Sequence, residues 1–133
     1  MNMNSIVITT VAVAAAGGLL YFFYKKGSQG RYFCINNENS ETVDGELKMS
    51  DVVNYLKLRR LSQDKHTPFM AKLSNSKIRG MVKGDLKQGY EAIFIGVYNN
   101  KTNEIEIMHV FFAKSLDQQI IELMGDETLI VLS

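Results

Sequence analysis

The chain has 133 residues, of which 46% are apolar and 22% charged, a balance that excludes wholesale disorder. A single cysteine, Cys34, excludes both an intrachain disulfide and a cysteine-based zinc cage, and suits a reducing compartment. The formal net charge of +1 selects no class of partner, but the charges are unevenly placed. Residues 38–51 are acidic, residues 57–87 hold nine basic side chains against Asp64 and Asp85, and the stretch from Glu91 onward is acidic again.

Ile6 to Tyr24 is a run of nineteen residues without a charge. At ~1.5 Å per residue it spans roughly 28 Å as a helix, close to the hydrocarbon thickness of a bilayer. Lipid offers no hydrogen-bond partners, so such a run is expected to close its backbone bonds within one helix. Tyr21 and Tyr24 mark one end, where amphipathic rings favour the headgroup zone, and Lys25 and Lys26 follow directly, with Arg31 a few residues on. Met1 to Ser5 carries no charged side chain, so the positive-inside bias places the N-terminus outside and the remainder in the cytoplasm. A cleaved signal peptide ending near Ala14-Ala15-Ala16 is the competing reading. It lacks a basic n-region and would leave Leu19 to Tyr24 as an exposed apolar tail. Ala12 with Ala16, and Ala14 with Gly18, give small-residue pairs suited to helix self-association.

The expected organisation is an anchor over residues 1–26, a flexible linker over 27–30, and a small α+β domain over 31–133. Tyr32 to Ile35 reads as a first strand. Asp44-Gly45 reads as a two-residue hairpin turn between Thr42-Val43 and Glu46-Leu47. Ser50 and Asp51 open a helix whose face is Met49, Val52, Val53 and Leu56; it either ends near Leu58 or carries Arg59 and Arg60 in its last turn at the edge of the buried surface. Pro68 to Leu73 is the next strand, proline first. Residues 74–89 are poorly patterned, with Ile78, Met81 and Val82 as a candidate short strand.

The clearest element is a hairpin, Ala92 to Tyr98 and Glu104 to Ala113, joined by a polar loop of Asn, Lys and Thr. Ile105, Ile107, His109 and Phe111 are expected on one face, and Glu104, Glu106, Met108, Val110 and Phe112 on the other. Ser115 to Gln118 matches a capping box opening a helix with Leu116, Ile120, Leu123 and Met124 inward and Gly125 as its stop. Leu129 to Leu132 reads as a strand buried on both faces. The fold class that follows is α+β, a mostly antiparallel sheet with two short helices.

No residue pattern points to catalysis. His66 reads as a solvated loop residue, His109 as a hydrogen-bonded core residue, and Cys34 as a small apolar one. No metal site and no cofactor are expected, since neither the phosphate-loop nor the dinucleotide pattern is present. The segment Lys77 to Gly89 offers a candidate anion site: Arg79, Gly80, Lys83, Gly84 and Lys87, with Arg59 and Arg60 as contributors. Nucleic acid is not an expected partner, because acidic segments flank the basic one. The expected partners are membrane lipid through residues 6–24 and a protein partner or second copy. The alternative is an enzyme or sensor taking a phosphorylated small molecule or anionic lipid at 77–89.

Overall fold

The computed structural model describes residues 33–62 and 64–132. The apolar run at 6–24, Tyr21, Tyr24, Lys25, Lys26, Arg31 and the linker all lie outside the described residues. Among the described residues no helix is long and apolar enough to cross a membrane.

The domain is α+β with a mixed five-stranded sheet. In chain order the elements are β1 (Phe33–Cys34), β2 (Ser40–Thr42), β3 (Glu46–Leu47), α1 (Met49–Lys57), β4 (His66–Lys72), α2 (Ser76–Met81), β5 (Val82–Lys83), β6 (Glu91–Asn99), β7 (Glu104–Ala113), β8 (Ser115–Leu116), α3 (Gln118–Met124) and β9 (Leu129–Val131). The main sheet runs β2-β7-β6-β4-β9. Its four long-range pairings are antiparallel except β2 against β7, which is parallel. The two small pairs, β1 with β5 and β3 with β8, are also parallel.

The β6–β7 hairpin is the spine, and its alternation sorts the core into two layers. Ile93, Ile95, Val97, Ile107 and Phe111 face one layer, where α1 contributes Met49, Val52 and Leu56 and α3 contributes Ile120 and Met124. Phe94, Tyr98, Val110 and Phe112 face the other, where Phe33, Ile78, Met81 and Val82 pack. The sheet therefore separates α1 and α3 from α2 and the β1–β5 pair. β9 and the residue after it serve both layers, Ile130 and Leu132 on one side and Val131 on the other.

Five local expectations are corrected. Asp44-Gly45 is not a hairpin turn: residues 40–47 run on in one direction beside residues 110–116, β2 on β7 and β3 on β8. Gly45, at φ 87°, only bends this path, and its carbonyl accepts from Lys114 N at 2.9 Å. The helix expected at Ser50 begins at Met49, and Asp51 accepts from the backbone N–H of Lys48 at 2.9 Å. Ile78 and Met81 belong to a helix, not a strand, because Asn75 Oδ1 accepts from Ile78 N at 3.1 Å and starts the turn. The helix after β8 is capped by Asp117, not Ser115, since Ser115–Leu116 is held as a strand by β3. Finally, Ile105 leaves the His109 row. The register jumps from Val97↔Ile107 to Tyr98↔Ile105, so Glu106 is an extra residue and Ile105 packs with Tyr98 and Met108.

Proline at position 68 is accommodated inside β4. Its carbonyl accepts from Leu132 N at 2.8 Å, so its missing donor falls where the ladder to β9 ends.

Candidate functional site

An open groove of about 440 Å³ lies where α1 crosses the β2–β7 edge, lined by Glu41 and Val43 from β2 and its continuation, Asp51, Asn54, Tyr55, Leu58 and Arg59 from α1 and its end, and His109 and Phe111 from β7. The parallel register sets Glu41 opposite Phe111, on the same face as His109, and His109 Nε2 meets Glu41 Oε1 at 3.0 Å. Tyr55 stacks on His109, with centroids 4.4 Å apart and planes 26° apart, and Phe111 meets the imidazole edge-on at 4.9 Å. The Arg59 guanidinium sits 4.0 Å from the Tyr55 centroid. Two groups can approach one ring centroid so closely only from opposite faces, so guanidinium, phenol and imidazole form a three-layer stack.

His109 is buried, with 7% of its surface exposed, while the Glu41 side chain is 54% exposed. Burial pushes the His109 imidazole below its ordinary pKa; the hydrogen bond and charge of Glu41 oppose this, and the Arg59 charge adds to it. The neutral ring donates Nε2–H to the Glu41 carboxylate, which fixes its tautomer. The groove lining offers stacking surfaces, a carboxylate fixed on His109, and a guanidinium over the Tyr55 ring. No ion pair to Arg59 forms among the described residues. Leu58, 74% exposed, stands at the rim beside it.

The candidate anion-binding residues are divided by the sheet. Arg59 and Arg60 follow α1 on one face; Arg60 takes φ 52° and is exposed. Arg79, Gly80, Lys83, Gly84 and Lys87 belong with α2 and β5 on the other. Arg79 donates to the carbonyls of Val82 and Gly84, tying the helix end to the strand. Gly80 has open space around it, so no close backbone approach requires it, whereas Gly84 at φ 125° packs against Ile35 Cβ, with 3.1 Å to an added Cβ. Lys87 donates to Thr42 Oγ1 and lies 5.7 Å from the Tyr90 and Phe112 ring centres.

His66 is part of a network rather than a solvated loop. Its Nδ1 accepts from Ser62 N at 2.9 Å, which leaves Nε2–H to donate to Glu106 at 3.1 Å. Glu106, turned by the bulge, also accepts from the buried Asn99 amide, and these contacts hold its carboxyl below the usual range. Asn99 Oδ1 in turn accepts from the N–H groups of Lys101 and Thr102, closing the hairpin loop. Cys34 is exposed, not buried as its apolar neighbours suggest, because Phe33 takes the inward position in β1. No group of three or more metal-ligating side chains occurs among the described residues.

Sequence reasoning named His109 and Arg59 but missed that they belong together. Tyr55 and Glu41 carried no local signal, since Glu41 reaches His109 across 68 positions of chain. No protein-family model matches the chain, and no curated protein or solved structure matches it either.

Proposed function

We propose that the chain is a single-pass, membrane-anchored interaction module whose cytoplasmic domain binds a protein partner through the α1–β7 groove. The observation that carries the binding role is the Arg59–Tyr55–His109 stack beside exposed Leu58. A lone exposed leucine is ordinary, but tyrosine and arginine fixed side by side next to one resemble the anchor residues of protein interfaces. Stacking immobilises the Arg59 side chain before binding, which lowers the entropy lost when a partner docks. The chemistry suits a protein segment offering a carboxylate to Arg59 and an apolar side chain to Leu58 and Phe111.

The charge-free run at 6–24, followed by Lys25 and Lys26, supports the anchor and its orientation. Tethering to a surface raises local concentration, so a modest groove suffices for a stable complex. The test is native mass spectrometry of the full-length protein extracted gently from its own membrane, with a tag in the 27–30 linker. A stoichiometric protein partner is expected on the wild type and lost from a Leu58→Glu, Arg59→Glu double variant that keeps its circular dichroism spectrum. A partner retained by the variant, or a chain that leaves the membrane alone, overturns the groove assignment.

A further inference from the structure

The tether joins the domain at one place. The described chain begins at Phe33, and β1 registers Phe33 on Val82 and Cys34 on Lys83, so the anchor connects directly beside the α2–β5 junction. Ile35 N continues this contact to Lys83 O at 2.9 Å, and Phe33 fixes it below by an edge-on contact with Phe94 at 5.7 Å. Between Tyr24 and Phe33 stand eight residues, so at ~3.4 Å per residue the junction lies within roughly 30 Å of the bilayer surface.

That junction is one of two basic parts of the domain, the other being Lys57, Arg59 and Arg60 at the end of α1 on the opposite face, which has no tether beside it. Residues 76–90 carry Lys77, Arg79, Lys83 and Lys87 against the single acid Asp85, and every residue from Lys83 to Gly89 is exposed, Leu86 among them. The hydrogen bonds of Arg79 and Lys87 go to carbonyls and a hydroxyl, which leave their positive charge uncancelled. Lys114 adds a cation, its Nζ 4.1 Å from the Tyr90 ring centre. Acids outside the segment are Glu38 in the turn after β1, Glu91 beside Tyr90, and exposed Asp44, which stands between Thr42, the acceptor of Lys87, and Gly45, whose carbonyl accepts from Lys114 N. In the sequence, Lys25, Lys26 and Arg31 precede β1 by two to eight residues.

We infer that the α2–β5 face, residues 76–90, docks flat on an anionic bilayer surface, with Leu86 dipping among the headgroups and Lys83 and Lys87 on lipid phosphate and carboxylate groups. The inference rests on the anchor reading of residues 6–24, which holds this face near the membrane. Docking it turns the opposite face of the sheet, with the Arg59–Tyr55–His109 groove, toward the cytoplasm. The anchor therefore supplies position and the basic face supplies orientation. Each cation near an anionic surface shifts the docked-to-free ratio roughly five-fold.

The test uses the full chain reconstituted in phosphatidylcholine vesicles, with and without phosphatidylserine, carrying a small fluorophore on exposed Cys34. Headgroup nitroxide lipids quench the fluorophore when the face is docked. Strong quenching is expected with phosphatidylserine, falling to the neutral-vesicle level at ~1 M salt, where the screening length is about 3 Å. A Lys77→Glu, Lys83→Glu, Lys87→Glu variant should lower the docked-to-free ratio on the order of 100-fold or more, while Leu58→Glu should leave it unchanged. Equal quenching in neutral and anionic vesicles, insensitive to salt, overturns the inference. Flotation of the same vesicles at high salt and alkaline pH reads the anchor separately. A chain that floats without charge-dependent quenching is anchored but undocked, which defeats the inference alone. A chain that washes off defeats the anchor reading, and the inference with it.

Discussion

Asp117 caps two helices at once, its Oδ1 accepting from Ile120 N at 2.8 Å in the first turn of α3 and its Oδ2 accepting from Met49 N at 3.1 Å in the first turn of α1. The Asp117 backbone N–H donates to Leu47 O at 2.9 Å, so the β3–β8 pair sets the carboxylate between the two helix ends. Both helices lie on the face that carries the groove, packed in one apolar layer, and this side chain joins their first turns.

Replacing Asp117 with alanine leaves two first-turn amides without acceptors, and one lost cap costs about 1 kcal/mol. Asp117→Ala should therefore destabilise the full chain in detergent by about 2 kcal/mol, and Asp117→Asn by about 1 kcal/mol, since an amide offers one acceptor oxygen. Urea denaturation followed by circular dichroism measures both. Equal losses for the two variants would show that a single amide carries the effect.

The hairpin, the closing strand and the Gly125 stop were legible because each is written in neighbouring residues: alternation over β6 and β7, a continuous apolar run, and a glycine at φ 52° whose N–H donates to Ile121 O to close the last turn. What the chain order conceals is the set of short parallel pairs. Ser115 looks like a cap until Glu46 claims it as a strand, and Asp44-Gly45 looks like a turn until residues 110–116 supply partners for both flanks. Ile78 and Met81, three apart, suit the helix they form, and the Asn75 cap signal stood unread before them. For the groove, buried His109 was legible from its apolar row, but its acidic and aromatic partners arrive through tertiary contact alone.

Gly96 stands opposite Phe69 in the β4–β6 ladder, and the ring lies over it. A Cβ added there would meet Phe69 Cζ at 2.4 Å and Cε1 at 2.6 Å, with Phe94 Cε1 at 3.0 Å. Phe69 and Phe94 are both fully buried, so neither ring has space to withdraw into. Gly96→Ala should destabilise by about 1–3 kcal/mol through overpacking, despite the usual benefit of removing a glycine from a strand. A companion Phe69→Leu change should recover part of the loss, and a double-mutant cycle reads the coupling. Additive losses would place the strain elsewhere.

Deleting residues 128–133 removes β9 and with it Ile130, Val131 and Leu132, exposed by only 4%, 3% and 1%. These side chains serve both core layers, and Thr128 O and Leu132 N also bond Lys72 and Pro68. Burial of three such aliphatic groups is worth roughly 1.5–3 kcal/mol each, comparable with the whole stability of a small domain. The truncated chain is expected to lose cooperative unfolding, measured by thermal denaturation of the full-length protein with and without the six residues. A sharp transition in the truncation would show that β9 is dispensable.

His109 gives the groove a pH dependence of defined sign. Its folded-state pKa lies below the ordinary value of 6.5, chiefly through burial. Above that value both folded and unfolded rings are neutral and contribute nothing to the difference. As pH falls below it, the unfolded chain binds the proton first, so stability declines until the folded ring also titrates. Glu106, whose carboxyl is lowered from 4.5, acts in a separate and more acidic window. Glu41 and Arg59 push His109 in opposite directions, which makes the assignment testable without removing the ring. Glu41→Gln removes an attraction for the proton and should lower the midpoint of the His109 ring titration followed by NMR. Arg59→Gln removes a repulsion and should raise it. The expected order of midpoints, lowest first, is Glu41→Gln, wild type, Arg59→Gln, with the first two below 6.5. If both substitutions move the midpoint the same way, packing rather than charge sets it, and the stack of Arg59 on Tyr55 becomes the feature that controls the proton.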